Sequence, residues 1–366
     1  MAKILILANS SSGLYGFRNE LVVKLLEQNQ VYVSLPDNTN NKELQEEGCI
    51  LYHTPINRRG MNPIQDIGLF CAYRKLIKEI CPDVVLTYTI KPNVYGGLAC
   101  RMEKIPYIAN ITGLGSALEN GGPVQKIALL LYKMGLKKAG SVFLQNEFNL
   151  AFFEKHHITK ASKRLIPGSG VNLNRFQVKP LPENTQEFVY IARVMKEKGI
   201  EEYLSAARKV KETYPNAKFH ILGYCEEAYE ETLKKAQDDG IIIHHGSVKD
   251  VRPYLYGVQC LIHPSFYPEG MSNVCLEAAA CGRAVITTKR PGCKETVEDG
   301  VSGYLVPEQD AKALTDAILK FINLSHEQKV QMGIAGRTRM ESLFDRNQIV
   351  KAYEEEIRNI LEQKEK

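Results

Sequence analysis

Two doubly wound α/β domains in tandem are what this sequence predicts, and three observations predict them. Short apolar runs alternate with helical patterns along the chain. The alternation stops at Pro167-Gly168-Ser169-Gly170 and then starts again. The length, 366 residues, suits two domains of roughly 100–200 residues each.

The first series of strands is expected at Ile4–Ala8, Val31–Leu35, Val84–Thr87, Tyr107–Ile111 and Val142–Leu144. The second is expected at Phe188–Ile191, Phe219–Leu222, Ile241–Ile243, Cys260–His263 and Val285–Thr287. Short, largely apolar runs with helices between them are the mark of a parallel sheet covered on both faces. Residues 1–170 form the expected N-terminal domain and 185–344 the C-terminal one. The stretch 171–184, with Pro180 and Pro182, is the expected linker. Asn347–Lys366 is a charged helix; whether 345–366 crosses back to the first domain is left open by the sequence. In doubly wound sheets ligands sit at the carboxyl ends of strands, so two such domains are expected to face a central cleft.

Composition narrows the function classes. Hydrophobic residues at 44% and charged residues at 24% are ordinary for globular domains. The net charge of +5 is mild and dispersed; it gives no argument for nucleic acid and suits an anionic substrate or membrane surface. The nine cysteines are scattered, without C-x-x-C spacing, and read as reduced core residues of a cytoplasmic protein. Lys3–Ala8 is too short for the apolar core of a signal peptide, and no apolar run reaches the ~18–20 residues of a membrane span. The histidines form no H-x-x-x-H or H-E-x-x-H arrangement; the adjacent pairs His156-His157 and His244-His245 would point to opposite faces of a strand. No metal is expected.

The chemistry concentrates in two segments of the second domain. Residues 269–277 read Glu-Gly-Met-Ser-Asn-Val-Cys-Leu-Glu. A strand and the Pro264–Pro268 loop precede them, and Ser272 or Asn273 suits the N-cap of an Ala-rich helix that stops at Cys281-Gly282. The free N–H groups and dipole of that helix start favour a diphosphate, and Gly270 lets backbone approach it. Glu277 lies on the order of 5–8 Å along the helix at ~1.5 Å per residue, a distance that matches phosphate to ribose. A carboxylate is the usual acceptor for a ribose diol. Glu269, before the helix, falls nearer the sugar. Ala192–Gly199 follows the first strand of this domain. There Arg193, bidentately, and Lys198, as a point charge, can neutralise a leaving diphosphate.

On these residues the chain resembles the family-4 glycosyltransferases, which have the GT-B architecture of two Rossmann-like domains. The resemblance covers nearly the whole chain. It rests on Glu269–Glu277 as the family's Glu-x7-Glu signature, on Arg193 with Lys198-Gly199, and on the hinge Gly170-Val171-Asn172-Leu173-Asn174-Arg175-Phe176. It implies that Glu269 meets donor-sugar hydroxyls and Glu277 the ribose, while Arg193 and Lys198 hold the diphosphate. Gly270, Met271, Ser272, Asn273 and Val274 would then line the phosphate end. Gly246-Ser247-Val248 matches the segment whose backbone meets the base, and Gly223 a nearby loop facing the donor. The resemblance further implies sugar transfer with retention, no metal or other cofactor, and a UDP-linked donor.

The acceptor end is expected in the first domain. After the first strand comes Asn9-Ser10-Ser11-Ser12-Gly13-Leu14-Tyr15-Gly16-Phe17-Arg18. Many family members have a Gly-Gly loop here; this chain has Gly13 and Gly16 instead. The Ser/Gly-rich turn offers N–H groups and hydroxyls to the cleft, with Gly13 on the donor side and Tyr15 and Arg18 on the acceptor side. Thr87–Asn93 and Asn110–Ser116 also follow strands, and bring Lys91, Thr112 and Gly113. These segments are similar to bacterial transferases that act on lipid-linked glycans in capsule and exopolysaccharide assembly. Lys91 and Arg18 are candidates for an acceptor phosphate. Residues 123–138 mix an apolar body with Lys126, Lys133, Lys137 and Lys138, a pattern that fits peripheral contact with the inner, anionic face of the cell membrane and equally a core-packed helix with a solvated side.

The expected reaction passes an oxocarbenium-like transition state with a departing diphosphate, stabilised by Arg193, Lys198 and the helix start at 271–274. No Asp or Glu is assigned as nucleophile, and closure about 168–184 would exclude water. Three rivals remain. A nicotinamide dehydrogenase requires G-x-G-x-x-G after the first strand, which Ser12–Gly16 lacks. A nucleotide-sugar epimerase would convert donor without acceptor, and a non-catalytic binding protein would hold the nucleotide without releasing it.

Overall fold

Continuous apolar runs become parallel strands because only a sheet covered on both faces can bury every residue of such a run. The structure, a computed structural model, describes residues 1–57, 60, 62–119, 121–225 and 229–365. It divides into two units, Met1–Gly170 with Arg346–Lys366, and Val171–Asp345.

In the first unit the strands are β1 Lys3–Leu7, β2 Gln30–Leu35, β3 Ile50–His53, β4 Val84–Tyr88, β5 Tyr107–Ile111, β6 Ser141–Leu144 and β7 Ser162–Leu165. They lie parallel in the order β3-β2-β1-β4-β5-β6-β7. Leu5 sits opposite Tyr32 on one side and Val85 on the other, so β1 is central. Alternate residues feed two cores. Ile4 and Ile6 join Leu14, Leu21 and Val22 of the Ser11–Leu26 helix. Leu5 and Leu7 join Tyr73, Leu76 and Ile77 of the Pro63–Ile80 helix. The Arg346–Glu365 helix completes the first of these cores with Ile349, Val350, Tyr353, Ile357 and Ile360. The Arg346 guanidinium donates to the Gly16 and Gly170 carbonyls and pairs with Glu20 at 2.7 Å.

In the second unit the strands are β8 Glu187–Ile191, β9 Lys218–Leu222, β10 Ile243–His244, β11 Cys260–His263, β12 Ala284–Thr288 and β13 Gly303–Val306. Their order is β10-β9-β8-β11-β12-β13, again all parallel. In both sheets the order reverses at the first strand: β1 lies between β2 and β4, and β8 between β9 and β11. Loops leaving two such neighbours diverge to opposite faces and leave a crevice, where doubly wound sheets bind ligands.

Two sequence expectations are corrected. The stretch 171–184 is no free linker. Phe176 is buried in the second unit's core, and Arg337 donates to the Phe176 carbonyl at 2.8 Å. The buried Arg283 guanidinium binds the carbonyls of Lys179, Pro180, Leu255 and Tyr256. The stretch therefore belongs to the second unit as an irregular but tethered segment. The cysteines are also not uniformly core residues: six are buried, whereas Cys71 and Cys81 are exposed.

Replacing Arg283 by Met removes the donor to the buried Leu255 carbonyl and to the part-buried Tyr256, Lys179 and Pro180 carbonyls. We expect a loss on the order of 1–3 kcal/mol of folding stability, the cost of leaving buried acceptors unsatisfied, measured by chemical denaturation. A change under about 1 kcal/mol would show that the tether is dispensable.

Candidate active site

The site of the second unit is built where three strand ends converge. β8 ends at Ile191, and the chain runs through Arg193 into a short 3-10 turn, Lys196–Lys198. Gly199, at φ 75°, then opens the Ile200–Thr213 helix. A Cβ at Gly199 would overlap the Pro264 carbonyl that follows β11. Gly223, at φ 143°, follows β9, and a Cβ there would overlap the Ala192 carbonyl. Neither position accepts an L side chain. The Gly223 N–H donates to the Gly246 carbonyl at 2.8 Å, which brings the Gly246-Ser247-Val248 segment to the same end of the sheet. Ser247 is exposed and Val248 half-buried.

Across the switch point, β11 ends at His263 and the chain reaches Glu269 through Ser265 and Tyr267. The Lys198 ammonium forms an ion pair with the Glu269 carboxylate, both largely buried. Tyr267 underlies the pair of cations: its ring centroid is 5.3 Å from the Arg193 guanidinium carbon and 4.8 Å from Lys198 Nζ. Thus Arg193, Lys198 and Glu269 stand together around one aromatic ring.

Burial lowers the Lys198 ammonium to about 8, with Arg193 adding to the effect and the Cys293 and Cys275 thiols opposing it.

The helix after the Glu269 loop spans Asn273–Ala280. Ser272 is its N-cap residue but makes no capping hydrogen bond, and no acidic residue occupies the first turn. The positive end of the dipole is therefore not neutralised by its own sequence. Met271 is buried in the core and Val274 packs against it, so of Gly270–Val274 these two offer backbone rather than side chain. The Ser272 N–H donates to the Gly292 carbonyl at 2.7 Å. Glu277 is half-buried one turn into the helix.

Two residues absent from the sequence-derived site also lie here. His263 is 1% exposed, and neither ring nitrogen has a hydrogen-bond partner. Burial, and then the charge of Lys198, hold its pKa well below the usual value, so the ring is neutral. Cys293, fully buried, lies with His263 and Glu269, their polar atoms within 4.8 Å of one another. A position at the carboxyl end of a central strand was the available signal for His263. Cys293 had none, because it arrives from the loop after β12.

In the first unit the expected loop is shorter than the sequence suggested. The helix begins at Ser11, so Gly13, Tyr15 and Arg18 are helical. The Gly13 N–H is taken by the Ser10 hydroxyl at 3.2 Å, and the Ser11 N–H by the Asp37 carboxylate at 3.1 Å. The protein's own groups thus occupy donors that an anion would need. The Arg18 guanidinium lies 4.5 Å from the centroid of the Tyr88 ring. Tyr15 packs against the core beneath the same helix. Lys91 donates to Asp66 at 2.6 Å and to the Gly60 carbonyl at 2.7 Å. Its charge is neutralised within the protein, which leaves Arg18 as the stronger candidate for an acceptor phosphate. Thr112 and Gly113 follow β5, with Gly113 at φ 139°.

Comparison with known proteins decides the family. Residues 185–323 match the family described as glycosyl transferases group 1, and residues 3–146 that described as glycosyl transferase 4-like. The chain belongs to the family-4 type of glycosyltransferases. An N,N'-diacetylbacillosaminyl-diphospho-undecaprenol α-1,3-N-acetylgalactosaminyltransferase of Campylobacter jejuni is 25% identical, over 97% of this chain and 99% of its own. The capsular polysaccharide biosynthesis glycosyltransferase CapM of Staphylococcus aureus is 26% identical over 84% of each. The fold is that of the GT-B glycosyltransferases. Anabaena HepE, solved in complex with UDP and glucose, superposes with a TM-score of 0.80 at 17% identity over 98% of this chain and 100% of its own. Sucrose-phosphate synthase of Thermosynechococcus elongatus does so with 0.82 at 19% identity, over 99% and 100%.

For a glycosyltransferase built in this way, the buried cation sets two expectations. Lys198→Ala should lower kcat/KM for donor about 100-fold or more, the order seen when a transition-state charge partner is lost; transfer at the wild-type rate would remove Lys198 from the mechanism. The lysine is charged below its pKa of about 8 and neutral above it. The kcat/KM for donor should therefore fall as pH rises through about 8, because that ratio reports groups of the free enzyme. A profile flat to pH 10 would contradict this.

Proposed function

We propose that this glycosyltransferase moves a hexosyl or N-acetylhexosaminyl group from a UDP-sugar to a polyprenyl-diphosphate-linked glycan, with retention, in synthesis of a bacterial surface polysaccharide or glycoconjugate. The observation that carries the donor half is the arrangement of Arg193, Lys198 and Glu269 across the β8/β11 switch point, beside an uncapped helix start. Two cations and a helix dipole suit a departing diphosphate. Glu269 suits the sugar hydroxyls and Glu277 the ribose. Because these groups stabilise the leaving charge, turnover needs no metal, and activity persists in EDTA. The departing phosphate itself takes the acceptor proton. The acceptor class is favoured by the relatives that act on diphosphoundecaprenol-linked sugars, in Campylobacter jejuni and in the Escherichia coli UDP-Gal:α-D-GlcNAc-diphosphoundecaprenol α-1,3-galactosyltransferase.

A lipid-linked acceptor requires access to a bilayer. Among the described residues no helix is long and apolar enough to cross a membrane. The Gly122–Gly135 helix instead exposes Val124, Ile127, Leu130 and Met134. Their spacing makes one apolar stripe, with exposed Lys126, Lys133, Lys137 and Lys138 alongside. That side is not packed in the core, so the helix suits peripheral contact with anionic lipid at the inner face of the membrane.

A UDP-release screen across UDP-sugars, with and without a polyprenyl-diphosphate glycan, tests the whole reading. Release that needs the lipid-linked glycan supports it. Interconversion of donor without acceptor would favour an epimerase, and binding of UDP without release from any sugar a non-catalytic protein. In flotation with vesicles containing phosphatidylglycerol, Leu130→Asp should reduce bound protein about tenfold, since it exchanges a favourable apolar contact for a charge. Equal flotation of the variant would place the contact elsewhere.

A further inference from the structure

A group of unlike ligands meets beneath the donor site. A His263 ring nitrogen, a Glu269 carboxylate oxygen and Cys293 Sγ lie within 4.8 Å of one another. His263 is 1% exposed, and both of its nitrogens are without a hydrogen-bond partner. Buried imidazoles ordinarily find a partner, so this ring calls for one that the chain does not supply. The backbones that carry the group are fixed. The His263 carbonyl accepts from the Thr287 hydroxyl at 2.7 Å within the β11/β12 pairing. The Cys293 N–H donates to the Arg290 carbonyl, and the Cys293 carbonyl accepts from the Thr296 hydroxyl at 2.7 Å. One nitrogen, one sulfur and one carboxylate oxygen form the donor set of Zn2+ and related thiophilic cations, not of Mg2+ or Ca2+.

We propose that His263, Glu269 and Cys293 form an inhibitory site for a thiophilic divalent cation of the Zn2+ type. Binding converts the Cys293 thiol to a metal-bound thiolate and releases its proton to solvent, while His263 and Glu269 each give a lone pair. No electron transfer is involved. Glu269 is the partner of Lys198, so the cation and Lys198 compete for one carboxylate. With the metal in place Glu269 no longer pairs with Lys198 and is no longer available to donor-sugar hydroxyls. The cation therefore raises the apparent KM for UDP-sugar and leaves kcat unchanged. This consequence rests on the donor site proposed above; the binding itself does not.

The test uses the full chain carrying Cys71→Ser and Cys81→Ser, which removes the two exposed thiols, and Co2+ as a spectroscopic probe. Titration should produce a thiolate-to-cobalt charge-transfer band with visible bands of tetrahedral intensity, both abolished by Zn2+. Cys293→Ser should lose the charge-transfer band, His263→Gln should weaken Co2+ binding, and Cys275→Ser, at a buried thiol outside the group, should do neither. In UDP-release assays Zn2+ should inhibit competitively with UDP-sugar, EDTA should reverse it, and Cys293→Ser should raise the inhibitory Zn2+ concentration about tenfold or more. Absence of the charge-transfer band in the parent, or its persistence in Cys293→Ser, overturns the site whatever the assay shows. Co2+ bound as expected, with inhibition that is not competitive or is unchanged by Cys293→Ser, overturns the inhibitory role. If no UDP-sugar turns over at all, the spectroscopic arm still decides the site, and it is the donor reading that fails.

Discussion

The candidate site of the second unit depends on two close approaches of backbone to backbone. After β8 the chain turns at Gly199 against the Pro264 carbonyl, and after β9 it passes at Gly223 against the Ala192 carbonyl. Only glycine allows either approach. These contacts draw the ends of β8, β9 and β11 into one place, and every group of the site hangs on them. Arg193 lies between Ala192 and the Lys196–Lys198 turn, Lys198 immediately before Gly199, and Glu269 on the loop that Pro264 begins.

The two units solve the same electrostatic problem in opposite ways. Each has a helix start at the switch point of its sheet, with the positive dipole end that such a start carries. In the first unit the Ser10 hydroxyl and the Asp37 carboxylate occupy it. In the second, Ser272 makes no cap and the first turn holds no acid. A buried lysine beside that uncapped turn has one carboxylate and little water, so a diphosphate arriving there gains more than it would at a solvated surface. The asymmetry leaves the second unit's helix start open to an anion where the first unit's is occupied by the protein's own groups.

Much of this was legible in the sequence, and what was not shares a cause. Central strands such as β1, β4, β5 and β11 announced themselves as short apolar runs because both faces are covered. β7, Ser162–Leu165, did not: it ends its sheet, its side chains are exposed or half-exposed, and Ser-Lys-Arg-Leu carries no apolar signal. β3 and β13 are the other short strands at sheet edges that were not expected, although Ile50–His53 and Gly303–Val306 are more apolar than β7, and at β10 the expected 241–243 moved to Ile243–His244. At the site, Arg193, Lys198, Glu269 and the 270–274 turn were readable because each belongs to a local strand-loop-helix pattern. The ion pair of Lys91 with Asp66 could not be read, because the two lie 25 positions apart. His263 and Cys293 were missed for the same reason: their meeting depends on strand adjacency, which one-dimensional spacing does not encode.

The Arg346–Glu365 helix has a consequence for how the molecule is made. It supplies Val350, Tyr353 and Ile357 to a core begun by Ile4 and Ile6. A ribosome delivers residues 4–6 first and these three only after the whole of 171–345 has emerged. The second unit can close its own cores as soon as it is out, while the first must wait with an apolar sheet face partly uncovered. The unit translated first is thus completed last, and the interval between is when a nascent chain of this kind has most need of a chaperone.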